Sequence, residues 1–100
     1  MKNTTLNLAN KNIWDSNNDS NGIEYFYMAF DGSTFENKET IKSMGFTWND
    51  VYWVKRIEAK KENITELASV IKNAVENGAE FESLIRGLSY EMILKTAGIN

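Results

Sequence analysis

The feature that most constrains the fold is an aromatic segment over residues 23–30 (IEYFYMAF). It carries large apolar side chains at both odd and even positions, and aromatic residues are enriched in β-strands. Strand alternation sends Tyr25 and Tyr27 to one face of the sheet, and Phe26, Met28 and Phe30 to the other. The segment therefore predicts a central strand, with the Phe/Met side in the core under helices and the Tyr side partly exposed.

Three further segments have strand patterns. In residues 4–14, Leu6 and Leu8 alternate with polar neighbours and Ile13-Trp14 adds an apolar end, which predicts an edge strand. Residues 46–48 and 51–54 are rich in aromatic and β-branched side chains. Because they flank the turn dipeptide Asn49-Asp50, they predict a β-hairpin.

Helical patterns come between and after these strands. Residues 36–44 predict a short helix that Gly45 closes, with Phe35, Ile41 and Met44 facing the core. From Asn63 to Gly78 the apolar residues recur at a helical spacing and predict a longer helix. The same spacing predicts a second helix through Phe81, Leu84, Ile85 and Leu88, and a third through Tyr90, Ile93, Leu94 and Ala97.

Together these segments predict one soluble α+β domain over residues 1–100, sheet-rich over 4–57 and helical over 62–97. The expected architecture is a small antiparallel sheet of three to four strands with a short helix inserted. Two to three C-terminal helices are expected to pack on one face of that sheet.

The residue types that are missing argue against catalysis. The chain has no cysteine and no histidine, so it has no thiol nucleophile and lacks the commonest general base and zinc ligand. Glu36 with Glu39, and Glu76 with Glu80 or Glu82, stand among charged neighbours and are best interpreted as solvated helix surface. We therefore expect no enzymatic activity, no cofactor and no metal.

One loop partly matches the sequence pattern of a calcium-binding loop. Residues 15–22 (DSNNDSNG) place oxygen ligands at alternate positions. In either register, however, position 12 falls on Phe26 or Met28, where a bidentate glutamate is needed. A polar turn is the better interpretation.

The aromatic residues of the middle segment, with the basic residues that follow them, are the most informative candidates for a site. Nine aromatic rings stand within residues 25–53, close to Lys55 and Arg56. Core packing accounts for some of them, but interfaces are enriched in aromatic side chains and arginine. The predicted partner-binding residues are Tyr25, Tyr27, Trp48, Tyr52, Trp53, Lys55 and Arg56, with one of Tyr52 or Trp53 partly exposed.

A nucleic-acid interface is the alternative, because aromatic rings beside basic residues can stack unpaired bases. Its candidate residues are Lys38, Lys42, Lys60 and Lys61. Charge opposes this alternative: the net charge is −3, residues 1–61 are neutral, and residues 62–100 carry the whole deficit. An acidic surface of that kind suits contact with a basic protein groove.

The stretch over residues 30–53 resembles a small ββαββ module of phage and plasmid accessory proteins. Lys38, Ile41, Lys42, Gly45, Trp48, Asn49 and Trp53 match that module. The layout is also similar to the HARP domain of annealing helicases. This resemblance implies the strand, helix and hairpin order and allows a nucleic-acid-binding accessory role.

Thirteen asparagines and no proline suit an AT-rich genome, and the brevity of the chain suits a phage or another mobile element. We expect a non-enzymatic protein that binds and inhibits or adapts a host protein, of the anti-CRISPR or other anti-defence type. No apolar run reaches the roughly 20 residues that span a bilayer, so the host cytoplasm is the expected location. Self-association through the C-terminal helices is compatible with either function.

Overall fold

The computed structural model describes residues 1–14, 22–85, 95 and 98. These residues form a five-stranded sheet and two α-helices. The elements in chain order are β1 (Thr4–Ala9), β2 (Tyr25–Gly32), α1 (Lys38–Ser43), β3 (Thr47–Trp48), β4 (Trp53–Glu58), α2 (Ile64–Glu76) and β5 (Glu80–Ser83), with one 3-10 turn at Lys61–Asn63 before α2.

The sheet is mixed, with the strand order β3-β4-β2-β1-β5. Neighbouring strands are antiparallel except β1 and β5, which run parallel. The central position of β2 and its hydrogen-bonded neighbours on both sides confirm the prediction from its aromatic pattern. The sheet edges are therefore β3 on one side and β5 on the other.

The core lies on one face of the sheet, which we call the helix face because both helices pack there. Leu6 and Leu8 of β1 and Met28 and Phe30 of β2 are fully buried. They contact Ile41 of α1 and the buried stripe of α2, formed by Leu67, Ile71 and Ala74. Phe26 is partly buried against the same cluster, so the Phe/Met side of β2 faces the core as the alternation predicted.

The predicted architecture of three to four antiparallel strands with two to three C-terminal helices is wrong. The sheet has five strands and a parallel pair, and α2 is the only helix longer than six residues in the described part of the chain. Phe81, which the helical spacing places in a second helix, lies in β5, and Leu84 and Ile85 follow it without regular structure. Leu88 and the proposed third helix lie outside the described residues, apart from Lys95, which is helical.

Strand β5 forms because α2 carries the chain back across the sheet. Gly78 has φ +94° and reverses the chain after α2. Glu80 to Ser83 then pair with Thr5 to Leu8 of β1, whose outer side would otherwise expose its backbone groups. This parallel pairing joins segments about 75 residues apart, which no local pattern reports.

Several local predictions are confirmed, with shifted boundaries. The β3–β4 hairpin is present, but its turn spans residues 49–52, one residue later than Asn49-Asp50 alone would place it. The inserted helix begins at Lys38 rather than at residue 36, and β1 ends at Ala9 rather than at residue 14. The prediction that this first strand lies at the edge of the sheet is wrong, because β5 pairs with its outer side. Within the described ranges, no helix has the length and apolar character needed to cross a bilayer.

Candidate functional site

The most distinctive surface feature is a groove at the β3 edge of the sheet, on the helix face. We call it the aromatic groove; its lining residues are Thr34, Phe35, Lys38, Trp48 and Trp53, and its volume is about 350 Å³. Phe35 is 78% exposed and Trp48 is 50% exposed, while Trp53 is half-buried. The groove thus has three aromatic walls that the fold leaves in contact with solvent.

The hairpin fixes the two tryptophans. Trp48 and Trp53 are direct cross-strand partners, so both project to the same face of the sheet. Their ring centroids are 5.6 Å apart and the planes are tilted by 49°. The Asn49 Oδ1 atom closes the turn below them by accepting hydrogen bonds from the Val51 N–H at 3.0 Å and the Tyr52 N–H at 2.7 Å.

The turn before α1 supplies the third ring. Thr34 N–H donates to the Gly32 carbonyl at 2.8 Å, and Asn37 Nδ2 donates to the Ser33 carbonyl at 2.7 Å. The prediction that Phe35 faces the core is wrong, because α1 begins two residues later than the sequence pattern suggested. Phe35 therefore belongs to this turn and points away from the buried cluster.

Lys38 gives the groove its charge. Its Nζ atom lies over the Phe35 ring, 4.7 Å from the ring centroid, which is a cation–π distance. Lys38 is the only charged lining residue, and it makes no ion pair with a carboxylate among the residues described. The site can therefore enclose an apolar or flat aromatic group and attract an anionic one.

A second cluster lies on the opposite face of the sheet. Tyr25 and Tyr27 project there, with ring centroids 5.8 Å apart, and the Arg56 guanidinium carbon lies 4.4 Å from the Tyr25 centroid. All three side chains are partly exposed or exposed and make further interactions. The partial exposure of both tyrosines agrees with the alternation argument.

The structure therefore divides the predicted partner-binding residues between two faces. Trp48 and Trp53 line the aromatic groove, whereas Tyr25, Tyr27 and Arg56 form the opposite cluster. The other two members of the set belong neither to the aromatic groove nor to the opposite cluster. Tyr52 is half-buried in the hairpin turn, and Lys55 is half-buried with its Nζ beside Gly45.

The four predicted nucleic-acid lysines also separate. Lys38 and Lys42 lie one turn apart on α1, while Lys60 and Lys61 follow the far end of β4, where Lys60 pairs with Glu58 at 3.3 Å. Strand β4 spans five residue steps between Trp53 and Glu58. At about 3.4 Å per step, the two ends lie roughly 17 Å apart. The lysines do not form one continuous basic patch.

Sequence reasoning missed Phe35 and Thr34 as site residues. The available signal was an apolar residue among polar ones in the segment between Gly32 and the helix, which is typical of a turn. The helix spacing to Ile41 and Met44 concealed that signal.

Among the residues that the structure describes, no group of three or more histidine, cysteine, aspartate or glutamate side chains could hold a metal ion. The calcium-like segment over residues 15–22 lies outside that part except for Gly22.

No protein-family model, curated protein or solved structure matches this chain. The resemblance of residues 30–53 to a ββαββ module consequently stays a prediction. The strand, helix and hairpin order over that stretch is present in the fold.

Proposed function

We propose that this chain is a non-enzymatic binding protein that inhibits or adapts a protein partner through its aromatic groove. The observation that carries the proposal is the exposure of Phe35 and Trp48 beside Trp53 in one groove. Fully burying a large apolar side chain contributes about 1.5–3 kcal/mol. A fold that leaves two such rings in water forgoes that stabilisation, and clustered exposed aromatics are typical of interfaces.

The composition supports binding over catalysis. The chain carries no histidine or cysteine. Among the lining side chains of the groove, Thr34 supplies a hydroxyl and Lys38 an amine, and none supplies a carboxylate. A phage or mobile-element origin and an anti-defence role belong to the same proposal, and they rest on composition alone.

Single-stranded nucleic acid is the second candidate, and the position of Lys38 beside three aromatic rings favours it. The net charge of −3 and the separation of the lysine pairs along β4 weigh against it. Protein binding is therefore the function that the groove supports best.

The test is affinity capture of partners from a bacterial host lysate with immobilised wild-type protein and two variants. Trp48→Ala removes a groove wall, and we expect it to reduce partner recovery by at least about tenfold, the loss typical of an interface hot spot. Val51→Ala is the matched control, because Val51 is 65% exposed in the same hairpin but does not line the groove. Equal recovery with all three proteins would refute the proposal, provided that circular dichroism shows all three folded.

A parallel titration separates the two candidate functions. A fluorescent dT12 oligonucleotide is added to the wild-type protein at about 50 mM and at about 500 mM salt, because phosphate contacts lose affinity steeply as salt rises. The proposal predicts no binding at micromolar protein. Micromolar affinity that disappears at high salt would favour the nucleic-acid function instead.

A further inference from the structure

The edge strand that borders the aromatic groove has backbone groups available for pairing. Asn49 N–H donates to the Tyr52 carbonyl at 3.0 Å, so Asn49 and Tyr52 form a hydrogen-bonded pair. Because such pairs alternate along an antiparallel ladder, the next pair, Trp48 with Trp53, directs its N–H and C=O groups away from the partner strand. Trp48 thus presents both groups on the side of β3 where no described strand lies.

No strand among the described residues pairs with this edge. Thr47 and Trp48 are both exposed, and β3 ends the strand order. An extended segment that paired with β3 would place the residue opposite Trp48 on the same face as the Trp48 ring, with Cβ atoms about 4.5–5.5 Å apart. That residue would lie at the outer rim of the aromatic groove, beside the Trp48 ring, so a long apolar side chain can reach over Trp48 into the groove while its backbone pairs with β3.

The size and charge of the groove restrict what enters it. A volume of about 350 Å³ lies at the lower end of the range for small-ligand pockets and suits a single bulky side chain. The Lys38 ammonium already covers the Phe35 face, which disfavours a cationic guest. A carboxylate close to the apolar side chain would instead be attracted to Lys38.

The neighbouring charges favour a single carboxylate over a polyphosphate. Glu36 and Glu39, both exposed, flank Lys38 in the sequence. A nucleic-acid strand brings one negative charge per nucleotide to this region, whereas a peptide can bring one acidic residue at the position where Lys38 lies.

We infer that the aromatic groove and the β3 edge together bind an extended peptide segment of a partner protein that carries one bulky apolar side chain next to an acidic residue. The inference rests on the proposed function and specifies the partner's chemistry. The backbone of the segment pairs with Trp48, the apolar side chain packs among Trp48, Trp53 and Phe35, and the carboxylate contacts Lys38. This is β-strand addition combined with a side-chain pocket.

Selection from a random octapeptide library against the immobilised protein tests the inference. Peptides enriched on the wild type are expected to contain an aromatic or large aliphatic residue with Asp or Glu within two positions. Selection on Lys38→Glu should lose the acidic preference and favour Lys or Arg. Lys42→Glu is the matched control, since Lys42 lies one turn further along α1, does not line the groove and brings the same change of charge.

The affinity of individual enriched peptides is then measured for the wild type and for both lysine variants. We expect Lys38→Glu to weaken an enriched peptide by at least about fivefold, because one exposed ion pair is lost and a like-charge repulsion of similar size replaces it, and Lys42→Glu to leave it unchanged. Methylating the peptide amide that pairs with Trp48 should abolish binding, because it removes a ladder hydrogen bond and blocks close approach.

The outcomes separate this inference from the function on which it rests. Absence of enriched peptides, an acidic preference that survives Lys38→Glu, or indifference to amide methylation would overturn the inference. If Trp48→Ala still reduced partner capture in that case, the proposed function would stand with a different mode of contact. Absence of enriched peptides together with micromolar dT12 binding that disappears at high salt would overturn both.

Discussion

At the scale of single residues, the turn from β2 into α1 depends on Gly32. Its φ is +95°, and an ideal Cβ there would collide with the Asn3 carbonyl oxygen. That carbonyl accepts a hydrogen bond from Ser33 N–H at 2.9 Å, which holds the start of the chain against the turn. This turn leads directly to Phe35 and Lys38. The positions of these two groove residues therefore depend on Gly32, although Gly32 does not line the groove.

We expect Gly32→Ala to lower the free energy of unfolding by more than about 3 kcal/mol, because backbone strain and steric overlap add. Gly22→Ala is the matched control: Gly22 has φ +80° but nothing within 4 Å of its ideal Cβ. In that variant the free energy of unfolding should fall only by the cost of a left-handed backbone for a residue with a Cβ, about 1–2 kcal/mol. Urea denaturation of both variants checks the difference, and equal losses would show that the contact with Asn3 is absent.

At the scale of elements, sequence periodicity predicted the buried side chains correctly where one face of a helix or strand packs on the core. Leu67, Ala68, Ile71 and Ala74 repeat at the helical spacing and are buried in α2 as predicted. The alternation in residues 25–30 correctly separated the tyrosine side of β2 from the core side. In both segments a single face contacts the core, so the pattern and the burial coincide.

Periodicity failed after Gly78 because two patterns fit the same residues. Phe81, Leu84 and Ile85 match a helical spacing, while Glu80 to Ser83 also alternate as a strand. The strand is formed by parallel pairing with β1, an interaction between distant segments that no window of sequence contains. For the same reason the sequence supplied the aromatic residues of the site but did not show that the sheet divides them between two faces.

The hairpin that carries both groove tryptophans depends on Asn49. Its side chain accepts two backbone hydrogen bonds within the turn, and its Nδ2 donates to the Trp14 carbonyl at 2.8 Å. We expect Asn49→Ala to destabilise the protein by about 1–3 kcal/mol, because backbone groups lose their partners. Asn77→Ala, at an exposed helix end, should cost less than about 0.5 kcal/mol.

Thermal unfolding followed by circular dichroism compares the two asparagine variants. Equal melting temperatures would contradict the role assigned to Asn49. A loss confined to Asn49→Ala would show that the turn, and with it the spacing of Trp48 and Trp53, depends on this side chain.

At the scale of the whole molecule, the sheet has two faces with different aromatic surfaces. The helix face contains the core and, at its β3 edge, the aromatic groove. The opposite face carries Tyr25, Tyr27 and Arg56, whose rings and guanidinium already contact one another. We assign binding to the groove because Phe35 and Trp48 expose more of their surface to solvent than any ring of the opposite cluster.

Hydroxyl-radical footprinting of the protein, free and bound to its captured partner, tests that assignment most directly. We predict that partner binding slows the oxidation of Phe35 and Trp48 severalfold and leaves Tyr25 and Tyr27 unchanged. Protection of the two tyrosines, with Phe35 and Trp48 oxidised at the same rate in both states, would contradict the account and move the interface to the opposite face of the sheet.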